Sequence, residues 1–177
     1  MNPVTMKIPL WIKKSLFVFL LGLLSFFAVA QNPTDSIPPD PGAMAVYTIQ
    51  NMSFGAFSHG ATGGSVIISN NGLRSVTGDV VPLNLGVNYF HSIFEIDTPE
   101  GSIVSILNGS NTTLTGSNGG SMTLHIGDSD PPSPFITIVP QPARTLVNIG
   151  GTITVGNAAT NPPGTYTGTF YITFNQE

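Results

Sequence analysis

Apolar and polar residues alternate with a period of two along most of this chain. In residues 164–174, Tyr166, Gly168, Phe170, Ile172 and Phe174 share one face, and Thr165, Thr167, Thr169, Tyr171 and Thr173 share the other. Alternation over that length predicts a half-buried strand. Residues 89–96 set Phe90, Phe94 and Ile96 against Tyr89, His91, Ile93 and Glu95. Residues 121–126 turn Met122, Leu124 and Ile126 inward, and 145–155 forms a further strand. Shorter strands are predicted at 43–50, 52–57, 65–69, 73–77, 80–85, 102–107, 112–115 and 135–139. Turn chemistry separates them. Asn70-Asn71-Gly72 tolerates positive φ, Gly78-Asp79 breaks a run, and within Asp97-Thr98-Pro99-Glu100-Gly101 Pro99 takes the second position of a four-residue turn. Asn108-Gly109 and Asn118-Gly119-Gly120 add two more turns, and loops are expected around Gly60, Gly63 and Gly64 and over 127–134. No long stretch free of Gly and Pro carries helical apolar spacing. The pattern predicts an all-β protein, an antiparallel Ig-like β-sandwich of about nine to eleven short strands. Its expected core holds Phe54, Phe90, Phe94, Leu124, Ile153, Tyr166, Phe170 and Ile172.

The N-terminus reads differently. Lys7, Lys13 and Lys14 precede an apolar run over 16–27, and Ala28-Val29-Ala30 offers small residues for cleavage before Gln31. Residues 1–30 are therefore expected to be a secretory signal peptide cut between Ala30 and Gln31. The run falls short of the roughly 20 residues a membrane helix needs, so no membrane attachment is expected once it is removed. Pro33, Pro38, Pro39 and Pro41 make 31–42 an extended tether, since proline gives no N–H to a ladder. Residues 43–177 then form a single sandwich domain. The expected location is secreted: periplasm, outer cell surface or outside the cell.

Charge and composition narrow the chemistry. After the signal the chain keeps Arg74 and Arg144, no lysine and all nine acids. That balance argues against nucleic acid, whose phosphates need a basic surface. With no cysteine, the domain is held by its core alone, and thiol catalysis and thiolate metal sites are excluded. Gly127-Asp128-Ser129 has the flavour of a hydrolase turn, but no G-x-S-x-G occurs, and Asp and Ser cap turns in any fold. His59, His91 and His125 are too far apart in sequence for one element to present two ligands. Asp128 and Asp130 are the calcium candidates, lacking the further ligands of an EF-hand. Glu95, Asp97 and Glu100 read as a solvated hairpin end. Tyr89 and Tyr171 are outward aromatics on which a sugar ring could stack. No cofactor is expected.

Three stretches carry a resemblance. They are Met52-Ser53-Phe54-Gly55, then Gly64-Ser65-Val66-Ile67-Ile68 with Asn71-Gly72-Leu73-Arg74-Ser75-Val76-Thr77-Gly78, then Gly150-Gly151-Thr152-Ile153-Thr154-Val155 with Pro163-Gly164-Thr165-Tyr166-Thr167-Gly168-Thr169-Phe170. Together they resemble the bacterial family called domain of unknown function 4402, from about Ala45 to the C-terminus. The closing strand is similar to those of pilin-like and spore-coat-protein-U-like domains. The resemblance implies an exported sandwich with surface or fimbria-like roles and no catalytic residue. This chain departs from it by ending on Asn175-Gln176-Glu177 rather than an aromatic residue.

The expected role is an exported structural or adhesive surface module, not an enzyme, with a glycan- or calcium-binding module as the alternative. Lysine is the usual guard of an exposed strand, so its absence favours partners joined through strand edges: further copies of the chain or other surface proteins. Residues 43–50 are expected to be a strand of their own domain rather than one donated to a neighbour.

Overall fold

In the computed structural model, which describes residues 42–177, every regular element is a β-strand. The signal peptide, the Ala30–Gln31 cleavage position and nearly all of the proline tether lie outside the described residues. The long strand β11 (Thr145–Val155) is the axis of the larger sheet. One of its edges pairs with β9 (Ser121–Asp130). Its other edge is shared: Thr145 to Ile149 pair with β6 (Ser92–Asp97), and Gly151 to Val155 pair with β3 (Phe57–Ile68). The hand-over falls at Gly150, where a Cβ would stand 2.5 Å from the Ile68 carbonyl oxygen, so only glycine fits. Beyond β6 lies β1 (Ala45–Gln50), and beyond β3 lies β4 (Arg74–Pro82). On the opposite side β8 (Thr112–Gly116) and β12 (Tyr166–Thr167) follow β9.

A smaller sheet, β10 (Phe135–Ile136), β7 (Ile103–Asn108) and β13 (Ile172–Gln176), covers the larger one. Phe94 of β6 meets Phe174 of β13 across the gap, with ring centroids 5.4 Å apart and planes tilted by 57°. Val104 and Phe135 from the small sheet join Ile96, Leu124, Val147 and Ile153 from the large one in a single buried cluster. All the paired strands run antiparallel. The expected sandwich is thus present, and its core draws on both layers. A ribbon of β2 (Ser53–Phe54) and β5 (Tyr89–Phe90) completes the fold.

The described residues hold 13 strands: the predicted strands 89–96 and 164–174 are each divided, and those predicted at 73–77 and 80–85 run together as β4. Residues 164–174 keep their alternating faces, but the chain leaves the large sheet after Thr167 and enters the small one at Ile172. Residues 89–96 break at His91. Ser92, Phe94 and Ile96 face the core, while Phe90 pairs with Ser53 in the ribbon and is 42 % exposed. Phe90 is therefore no core residue. Phe94, Leu124 and Ile153 are buried as expected, and Phe54, Tyr166, Phe170 and Ile172 pack half-buried against them.

Three expected interruptions are strand instead. Gly60, Gly63 and Gly64 lie within β3, and Gly78-Asp79 lies within β4; a register shift between His59 and Gly64 absorbs the extra residues. Residues 127–130 continue β9 past a bulge opposite Gly150. A bulge keeps the ladder while adding a residue, and the alternating pattern alone does not reveal it.

Candidate functional site

The edge formed by β1 is built from a six-residue run, Ala45-Val46-Tyr47-Thr48-Ile49-Gln50, with no charge, glycine or proline. One side of it bonds to β6 in the register Ala45 to Asp97, Tyr47 to Glu95 and Thr48 to Phe94, with a bulge at Ile49. No described strand pairs with its other side. Val46 and Tyr47 are about two-fifths exposed, and Ile49 is 54 % exposed.

Charge gathers beside this edge. Arg144, just before β11, donates to Glu95 Oε2 at 3.0 Å and lies 3.6 Å from Asp97 Oδ2. Its guanidinium sits 4.0 Å from the centre of the Tyr47 ring. The Glu95 hydrogen bond, and then the nearby Tyr47, Glu95 and Asp97, strengthen its hold on its proton. Gln141 Nε2 donates to Asp97 Oδ1 at 2.8 Å. Cross-strand pairing also sets Leu146 of β11 beside Glu95, so Tyr47, Glu95 and Leu146 form one row across three strands. Glu95 and Asp97 are thus bound groups and not a freely solvated hairpin end. Arg74, the other arginine of the described region, donates to the Phe54 and Ala56 carbonyls and covers Tyr89 at 4.5 Å.

The remaining candidates are scattered. Asp128 and Asp130 stand exposed on the end of β9 rather than in a loop. His59 Nε2 donates to the Asn161 carbonyl at 3.0 Å, His91 lies 3.3 Å from Asn148 Oδ1, and His125 lies 2.9 Å from Asn111 Oδ1. Among the described residues no three His, Asp or Glu side chains come together to hold a metal ion. Ser129 lies within β9, opposite Ile149.

A cleft of about 550 Å³ opens over Leu114, Met122, Leu124 and Ile153, with Phe54 and Phe170 among its walls. Two polar groups lining it are already engaged: the Ser53 hydroxyl donates to the Asn88 carbonyl and the Tyr166 hydroxyl to the Pro162 carbonyl. His59, Asn161, Thr165 and Thr167 also line it, beside the apolar floor. Tyr171 is 75 % exposed between β12 and β13, whereas Arg74 covers one face of Tyr89.

The family model called domain of unknown function 4402 matches residues 44–175, nearly the whole described region. The chain belongs to that family. No curated protein and no solved structure matches it.

Proposed function

We propose that this member of the domain of unknown function 4402 family is an exported structural or adhesive surface module that works without catalysis and joins other chains through its strand edges. The observation that carries the reading is β1: a strand in register on one side, uncharged throughout, with exposed apolar side chains and no described strand on the other. Backbone N–H and C=O groups at such an edge are satisfied by water or by another strand, and natural sheets guard against the second with charge, proline or short length. Both arginines of the described region are engaged within the chain, Arg144 with carboxylates and Arg74 with carbonyls. Negative-stain microscopy and sizing of the purified chain test the reading. Fibres or defined oligomers are expected; a strict monomer at high concentration overturns it.

A second reading has one observation in its favour, the bare ring of Tyr171, which offers a sugar a stacking face. Retention of a monomer on a glycan array, lost in Tyr171→Ala, would favour it. The export half of the proposal has its own check. Intact mass of the released protein should correspond to a chain beginning at Gln31; a mass that retains the apolar run overturns export by cleavage.

A further inference from the structure

We infer that β1 is a homotypic docking edge: two copies of the chain pair β1 with β1, antiparallel, about a twofold axis at Tyr47. This rests on the proposed strand-edge assembly and names its partner and its register.

The free edges differ in ways that select β1. β4 carries Arg74, Asp79 and Pro82 and is distorted by the shift opposite β3. β12 and β10 are two residues each. β13 is uncharged, but the side chains it leaves exposed are Thr173, Asn175 and Gln176. Among the described edges, only β1 combines several consecutive pairable residues with exposed apolar side chains, Val46 and Tyr47, with Ile49 beside them. Charge and brevity are devices that keep edges apart; β1 has neither, and its bulge falls at Ile49, after the regular stretch Ala45–Thr48.

The sequence of β1 is also self-complementary in that register. With Tyr47 facing its own copy, Val46 faces Thr48, and Ile49 lies at the bulge that ends this regular stretch. Residues 46–48 keep strict alternation, so Tyr47 meets Tyr47 on one face, Val46 meets Thr48 on the other, and the two large sheets become one. A twofold contact of this kind is closed and stops at two copies. Tyr47 is held ready, because Arg144 lies against its ring and is itself fixed by Glu95 and Asp97. Those acids neutralise the guanidinium, so two such clusters approach without bringing two unpaired cations together. Each cluster keeps one excess negative charge, so added salt should favour the dimer modestly.

The absence of cysteine makes the test clean. Tyr47→Cys should form a disulfide between copies under mild oxidation, because facing strand residues fall within disulfide reach. Thr173→Cys on β13 serves as the comparison and should stay unlinked. Separately, Ile49→Lys should weaken self-association in analytical ultracentrifugation by about tenfold or more, with circular dichroism unchanged. Cross-linking through Thr173→Cys but not Tyr47→Cys overturns the β1 assignment while leaving strand-edge assembly standing. A chain that stays monomeric and links through neither cysteine overturns both. Oligomers that form equally well in Ile49→Lys overturn the β1 edge alone.

Discussion

Phe90 and Phe94 have the same parity in the sequence and end in different surroundings. Phe94 is buried against Phe174, whereas Phe90 lies in the ribbon, away from the core, and is 42 % exposed. Phe94→Ala should therefore cost about 3–5 kcal/mol, and Phe90→Ala less than about 1 kcal/mol. Chemical denaturation of the two variants measures the difference, and equal losses would mean that the break at His91 is misplaced. Phe170 packs half-buried, so Phe170→Ala should fall between them. Asp79 gives a pH-dependent case. The Thr62 backbone N–H donates to its Oδ2 at 2.8 Å. That bond, with the Thr62 hydroxyl and the Gly60 and Gly63 amides, holds the carboxyl below the ordinary carboxylate range against a smaller opposing effect of burial. A depressed folded pKa stabilises above the unfolded value, and the contribution fades as pH falls through the folded one. Asp79→Asn should thus lower the denaturation midpoint at neutral pH, and its gap from the parent should close on acidification below the usual carboxylate range. A gap independent of pH would show that the carboxylate charge is not what holds the β3 bulge.

At the scale of elements, the same bulge depends on two glycines with positive φ, Gly63 at 71° and Gly78 at 66°. A side chain at Gly78 would also collide with the Gly63 carbonyl. Gly78→Ala should cost about 1–3 kcal/mol by denaturation, because strain and close approach act together. A neutral substitution would mean that the hairpin relaxes freely. These glycines explain what the sequence could and could not convey. Alternation identified the faces of β9 and β13, and β11 begins and ends at Thr145 and Val155 as its pattern implies. Period-two patterning reports side-chain direction, which survives when a strand changes its hydrogen-bonding partner. Residues 164–174 therefore read as one strand, although the backbone crosses from one sheet to the other. Glycines at 60, 63, 64 and 78 read as loop because glycine marks turns and bulges alike, and only the partner strand distinguishes them. The Tyr47–Arg144–Glu95 contact was hidden for a similar reason. Its members lie far apart in sequence, and the β1–β6–β11 pairing that joins them is a long-range property.

For the molecule as a whole, β1 is the element on which assembly and stability meet. It closes one edge of the large sheet, adjoining β6, whose Phe94 and Ile96 are core residues, and the neighbouring Met44 packs against the same core. A strand so engaged belongs to its own domain, and only its outer edge is left to offer. A strand donated to a neighbour would instead leave behind a domain that folds without it and carries a vacant groove. Deleting residues 31–50 separates these cases. Loss of β1 leaves β6 as a bare edge above a buried face and removes the apolar contacts of Met44. The truncated chain should therefore lose stability as a monomer, with a lower denaturation midpoint or no cooperative transition. The decisive contrary result is a truncated chain that stays folded, remains monomeric and binds a peptide of residues 43–50 added in trans. Under that outcome β1 would be an exchangeable strand, and copies would be linked by swapping it rather than by aligning two intact edges.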